Sequence, residues 1–306
     1  DISSEKVQFS PNQDVRSISH SISPIEIGIV ATSGNILQTS DAISCHQVSK
    51  FDVAKDLNTT LHDDGLSYNF GNHHDLRGFD SSCFRLTLQE IISMDSQQQN
   101  LLFYAQKLLS STSSYQKTKN TSLALGISQF GDVSLSVNDQ SVMGQAHSVA
   151  SGRIAFFFDI HGPCVSVDTA CSSSLVALHL VSTFFALTKC TFGLPAAVNH
   201  IICENVTDAL YRLGMLSLEG RCKTLDISAD GYVRSEYTCL LAVVDLSKSD
   251  FSPARVVQVC ATQINQDGRS SALTTPNGTS QVSLLRQALR SCHKCSNSFN
   301  ISMHGT

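Results

Sequence analysis

Asp168-Thr169-Ala170-Cys171-Ser172-Ser173-Ser174-Leu175 decides how this chain is read. Just upstream, Pro163-Cys164-Val165-Ser166-Val167 is a short apolar run of strand character. Just downstream, Leu175-Val176-Ala177-Leu178-His179-Leu180-Val181 is apolar and helix-like. A cysteine between them is expected at a sharp strand-to-helix turn, with its thiol at the helix N-terminus. Unpaired backbone N–H groups and the helix dipole favour the thiolate there, and the thiolate is the nucleophilic form. The same N–H groups can hold the oxyanion that forms when a thioester is attacked. Serines flank the turn, as a helix start that needs capping would have them.

Outward from this stretch the chain alternates short apolar runs with helical patterns. Strands are expected at Ile25 to Ala31, Leu123 to Ile127, Ala196 to Ile202, Leu240 to Val244 and Arg255 to Thr262. Leu88 to Leu109 reads as one amphipathic helix around Gln97-Gln98-Gln99, and Thr279 to Arg290 as another. Residues 141–158 suggest a loop and then a helix ending in Phe156-Phe157-Phe158, an aromatic run expected in the core. Short buried strands alternating with helices give an α/β protein. Residues 1–24 are polar and Ser-rich and read as a leading linker, and residues 44–80 as a surface loop region.

Composition narrows the function classes. Of the 306 residues only 15% are charged, and the net charge is −5, so no basic face is offered to nucleic acid. No apolar run is expected to span a membrane, and Asp1-Ile2-Ser3-Ser4-Glu5 is not a signal peptide. The chain reads as a piece of something longer. Eleven scattered cysteines are not a disulfide framework and fit reduced thiols in a cytoplasmic enzyme. Cys292-His293-Lys294-Cys295 has the spacing of half a zinc site but lacks a matching second pair, with only His304 nearby. His62-Asp63-Asp64 and His73-His74 read as solvated loop residues, so no metal site is expected.

The segment Asp168 to His179 resembles the active-site segment of β-ketoacyl synthases, most closely the ketosynthase domains of type I polyketide synthases, with fatty-acid synthase a near neighbour. Other stretches follow the family in order. Phe79-Asp80 and Met94-Asp95-Ser96-Gln97-Gln98-Gln99 look like its FD…MDPQQR segment, with Ser96 for Pro and Gln99 for Arg. Ser151-Gly152-Arg153-Ile154 precedes the cysteine as in the family. Arg212 to Ser217, Gly220 to Thr224, Asp230 to Arg234, Asn265 to Gly268 and Thr275 to Gln281 also match. Met303-His304-Gly305-Thr306 looks like the start of the EAHGTGT motif, which carries the first catalytic histidine. Ser302 and Met303 stand there for Glu-Ala. Ala196-Ala197 stands for a Gly-Gly pair and Glu236-Tyr237-Thr238-Cys239 for EGCG, substitutions expected to disturb local packing.

The resemblance implies a thiolase-like fold of α-β-α-β-α layers, with residues 25–250 as the nucleophile-bearing N-terminal half and 251–306 as the start of the C-terminal half. The family's second histidine, its lysine and a Gly-Phe-Gly oxyanion loop would lie beyond the equivalent of Thr306. It implies an acyltransferase whose Cys171 takes an acyl chain from the phosphopantetheine arm of an acyl carrier protein, with His304 stabilising an enolate during decarboxylative Claisen condensation. No cofactor is bound permanently, and a homodimer inside a multidomain synthase is expected. A thiolase, a non-elongating ketosynthase acting as an acyl relay, and an inactive fragment are the other readings.

Overall fold

A computed structural model describes residues 27–34, 81–112, 120–128, 139–201, 204–248 and 257–292, with Ser302 and His304. The leading linker, the loop region 44–80 with its histidines, and Cys295 lie outside the described residues.

One six-stranded mixed sheet organises these residues. Its strands are β1 (Ile27–Gly34), β2 (Thr121–Ile127), β3 (Cys164–Val167), β4 (Phe192–Asn199), β5 (Tyr237–Asp245) and β6 (Val257–Val259), in the spatial order β3-β2-β4-β5-β1-β6. β2 runs parallel to both β3 and β4, and the remaining pairings are antiparallel. β6, from the segment assigned by resemblance to the second half, pairs with β1 in this same sheet.

Both faces of the sheet are covered, so its central strands are largely apolar. Every residue of β2 is buried. On one face Leu123, Leu125, Leu194, Leu240 and Val244 pack with Leu101, Leu102 and Leu108 of a helix and with Ile154. On the other face Ala124 and Val243 meet Ala177, Val181 and Phe185.

The helices are α1 (Leu88–Ser93), α2 (Ser96–Ser111), α3 (Asp139–Gln145), α4 (His147–Phe157), α5 (Ser173–Leu187), α6 (Glu204–Arg212) and α7 (Gly278–Ser291). The single helix expected over Leu88 to Leu109 is two. Asp95 caps α2 by accepting the Gln97 N–H, which starts a new helix at Ser96. Gln99 Nε2 then donates to the carbonyls of Ile91 (3.2 Å) and Met94 (3.0 Å), closing the end of α1. Residues 141–158 likewise hold two helices rather than a loop and a helix. Phe157 and Phe158 are half-buried against the core, whereas Phe156 is 80% exposed, contrary to the expectation for the aromatic run.

α5 corrects the reading of membrane character. Ala170–Leu187 reaches a mean hydropathy of 1.7 over 18 residues, enough by length and composition for a span. Ser173, Ala177, Val181 and Phe185 recur every fourth position and are buried, with the helix lying on β2 and β4. That stripe serves the sheet face it covers, while Leu175 and Leu187 are exposed.

Candidate functional site

Cys171 sits where the sequence predicts, between the end of β3 and the start of α5. A 3-10 turn, Ala170–Ser172, carries it, and its residue is exposed. Ala170 has φ of 52°, a left-handed conformation that a residue with a Cβ adopts at a cost. Such a reversal turns the chain out of the strand and into the helix within a few residues.

The turn is held by its own polar groups. Asp168 Oδ1 accepts the Ala170 N–H at 2.9 Å. Ser173 Oγ, on a buried residue, accepts the Thr169 N–H at 2.8 Å and donates to the Ala170 carbonyl at 2.7 Å. Ser172 Oγ donates to the Thr169 carbonyl at 2.8 Å. The serines were expected to cap the helix. No side-chain cap bond is formed at Ser172, and the hydroxyls instead fasten the turn to itself. The Cys171 N–H has no hydrogen-bond partner among the described residues. It is therefore free to point at a developing oxyanion.

The turn rests on the sheet through glycine. A Cβ on Gly126 would stand 2.7 Å from the Ser173 carbonyl carbon, so only glycine on β2 lets α5 begin there. The helix is also fastened at its middle. His179 Nδ1 lies 2.9 Å from Thr262 Oγ1, and Ser182 Oγ lies 3.2 Å from the same hydroxyl. Burial holds the His179 imidazole below its ordinary value, partly offset by its hydrogen bonding to Thr262.

Sequence reasoning did not single out Tyr232 as a site residue. Its hydroxyl is pushed up first by burial, against the opposing charge of Arg234, and the charge of Cys171 pushes it further in the same direction. Tyr232 thus lies within electrostatic reach of the thiol. It is carried by a loop in which the matched segments Arg212 to Ser217, Gly220 to Thr224 and Asp230 to Arg234 fold onto one another. The Tyr232 N–H donates to the Met215 carbonyl, and the Ser217 N–H to the Tyr232 carbonyl, both at 3.0 Å. Gly231, at φ of 138°, lies so close to Leu216 and Ser217 that a Cβ would come within 2.6 Å of their backbone. Ser217 Oγ donates to Asp230 Oδ1 at 2.8 Å, and Lys223 pairs with Asp230 (3.3 Å) and Glu219 (3.2 Å). Ser217 and then Lys223 hold the Asp230 carboxyl below the usual range.

The segments Asn265 to Gly268 and Thr275 to Gln281 also form one unit. Asn277 Nδ2 donates to the Asp267 carbonyl and its N–H to Asp267 Oδ2, each at 3.0 Å, while Asn277 Oδ1 caps α7 through Thr279 and Ser280.

The departures from the family pattern are absorbed. Ser96 Oγ lies 3.1 Å from Nδ1 of the buried His200, whose Nε2 meets Asn100 at 3.0 Å. Gln99 has the helix-closing role described above. Ala196 and Ala197 lie in regular β4, paired with Leu240 and Cys239, and neither has a positive φ. The strand keeps its register through this pair, and neither alanine needs the backbone freedom of glycine there. His304 is exposed, as is Ser302, and no hydrogen bond or ion pair joins His304 to Cys171 among the described residues. Among those residues no three His, Cys, Asp or Glu side chains are grouped as metal ligands would be.

Comparison with known proteins bears on this arrangement. The family model "Beta-ketoacyl synthase, N-terminal domain" matches residues 21–248. One of the phenolphthiocerol/phthiocerol polyketide synthase proteins of Mycobacterium tuberculosis is 34% identical over 244 residues, which cover 76% of this chain and 16% of that protein. Among solved structures, the ketosynthase from module 6 of the bacillaene synthase of Bacillus subtilis superposes with a TM-score of 0.72 at 27% identity, covering 87% of this chain and 48% of that one. The oxazolomycin ketosynthase domain OzmH KS7 of Streptomyces albus gives a TM-score of 0.69 at 23% identity, covering 88% of this chain and 51% of that one, a likeness of fold. The chain thus spans about half of the solved bacillaene synthase ketosynthase and a small part of the curated mycobacterial synthase.

Proposed function

The chain belongs to the β-ketoacyl synthase family, with a thiolase-like fold, and from that premise we propose that it performs decarboxylative Claisen condensation in a polyketide synthase. In the first step the Cys171 thiolate attacks the thioester carbonyl of an acyl group carried on the phosphopantetheine arm of an acyl carrier protein. A C–S bond forms, the carbonyl oxygen becomes an oxyanion, and its collapse expels the pantetheine thiolate, which takes up a proton. The uncommitted Cys171 N–H is one donor to that oxyanion. In the second step a malonyl-type extender on its own carrier loses CO₂. The electron pair of the broken C–C bond forms an enolate, to whose oxygen His304 donates a hydrogen bond. The enolate carbon attacks the acyl-cysteine carbonyl, a new C–C bond forms, and Cys171 departs as thiolate. No metal or permanently bound cofactor takes part.

The observation that carries this reading is the exposed Cys171 in a self-bonded turn between β3 and α5, seated by Gly126. Carrier protein, the further domains of a synthase and a second copy of the domain are the proposed partners. β3 closes one end of the sheet with a single neighbour, β2, among the described residues, which supports pairing with a second copy. Among the described residues Cys164, Cys171, Cys190, Cys222 and Cys239 are free thiols, which supports a reducing, cytoplasmic setting.

The test is single-turnover acylation of the protein by acyl-carrier and by acyl-CoA, followed by malonyl-carrier and mass detection of the product. Faster acylation from the carrier, then a β-ketoacyl product with one CO₂ released, is expected. Acetoacetyl product from acetyl-CoA alone without CO₂ would make the protein a thiolase. Acylation with no elongation would make it an acyl relay.

A further inference from the structure

A concave surface lies away from Cys171. A cleft of about 450 Å³ is lined by Cys83, Arg85, Glu90, Gln106 and a cluster of phenylalanines. Its place follows from the topology. Ser166 Oγ, on β3, donates to the His147 carbonyl at 2.6 Å, so α4 starts beside the end of β3 that leads to Cys171. The phenylalanines are at the other end of α4, about 16 Å along an 11-residue helix.

The apolar wall is ordered. Phe84 packs edge-to-face on Phe157, with centroids 5.3 Å apart, and on Phe158 at 6.1 Å. Phe156 packs edge-to-face on Phe157 at 5.3 Å and leaves most of its ring exposed. The rim carries two charges. Glu90 Oε2 is committed, accepting from the Thr87 N–H and Oγ1, both at 2.8 Å, and these bonds hold the carboxyl below its usual range. Arg85 is exposed, and its guanidinium has no ion-pair or hydrogen-bond partner among the described residues. Its backbone is held at φ of 50°. A non-glycine residue in that region costs free energy, and such outliers gather at ligand sites. Among the described residues, the ordered rings and the uncommitted Arg85 guanidinium offer a small molecule one apolar contact and one charge.

We propose that this cleft binds a small aryl-alkyl carboxylate, with the ring against Phe156 and Phe157 and the carboxylate on the Arg85 guanidinium. The ring completes an edge-to-face cluster, and the planar guanidinium matches a carboxylate in two parallel hydrogen bonds. The site is independent of the thiol chemistry, so its occupancy does not require acylation.

The test titrates 4-phenylbutyrate into the full protein by calorimetry, with 4-phenylbutyramide as the uncharged match. Saturable binding of the acid is expected, with the amide at least tenfold weaker. Arg85→Gly should weaken the acid at least tenfold while its thermal midpoint stays at or above the parent's, because glycine is at ease at that φ. Prior alkylation of Cys171 should leave the affinity unchanged. Equal binding of acid and amide, full affinity in Arg85→Gly, loss of binding on Cys171 alkylation, or no saturable binding would each overturn the proposal. The acid–amide comparison on the unaltered protein stands whatever the variant does.

Discussion

Gly126 on β2 and Ser173 at the head of α5 touch with no space for a side chain between them. A Cβ at Gly126 would lie 2.7 Å from the Ser173 carbonyl carbon and 2.9 Å from its Cβ. Ser173 is also the residue whose hydroxyl accepts from the Thr169 N–H and donates to the Ala170 carbonyl at the start of the turn that carries Cys171. Gly126→Val should therefore lift the helix start and loosen that turn together. The expected cost is about 1–3 kcal/mol, as for overpacking a close-packed site. Urea unfolding and the alkylation rate of Cys171 measure the two effects. Unchanged values in both would sink the link.

Reactivity should follow geometry rather than exposure alone. Cys83, Cys171 and Cys222 are all exposed, but Cys171 alone stands at a strand-to-helix turn with a free N–H. Cys222 Sγ already accepts the Val233 N–H at 3.4 Å. Iodoacetamide near neutral pH should label Cys171 first, as read by peptide mass mapping. Faster labelling of Cys83 or Cys222 would remove Cys171 from its role.

His304→Ala should spare acylation of Cys171 and abolish condensation, since the task proposed for it falls in the second step. A mutant that fails to acylate would reverse that division of labour. Both are read in the single-turnover assay.

The loop that presents Tyr232 should tune the first step. Asp230→Asn removes the charge that Lys223 pairs with and weakens the acceptor for Ser217. Acylation should slow roughly tenfold, because small misplacements at a reacting centre are costly. The unfolding midpoint should barely move, since the group is at the surface. A tenfold loss matched by a lower midpoint would point to misfolding instead.

His179 makes stability pH-dependent. Its folded value lies below the ordinary one of about 6.5, so the unfolded chain takes up a proton first as pH falls. The contribution is complete above about pH 6.5 and is lost as pH falls from there through the folded value. His179→Gln should flatten this part of the stability profile. Thr262→Val should cost about 1–2 kcal/mol by leaving the buried side of His179 without its partner. An unaltered acid slope in His179→Gln would refute the assignment.

Much of the setting of Cys171 was legible from the chain alone. An apolar run, a cysteine among serines and a second apolar run specify strand, turn and helix, because backbone geometry and local hydrogen bonds act over a few residues. β2, β5 and α7 lie close to where their patterns put them for the same reason. The helix over Leu88 to Leu109 was misread because a cap at Asp95 competes locally with an amphipathic period that runs straight through it. Phe156 was misplaced because three consecutive phenylalanines at the end of one helix point in different directions, and apolarity alone does not say which face finds a neighbour.

Other features belong to the tertiary structure alone. Ser96 meets His200 across 104 positions of sequence and His179 meets Thr262 across 83, and neither residue type announces its partner. Gly231 lets the loop that carries Tyr232 lie on Leu216 and Ser217, segments 14 or more positions apart. The sequence by itself singled out Cys171 as the proposed nucleophile and determined which elements flank it. The packing of distant segments decided what surrounds that thiol, because close contact and burial are properties of the assembled sheet and not of any stretch of chain.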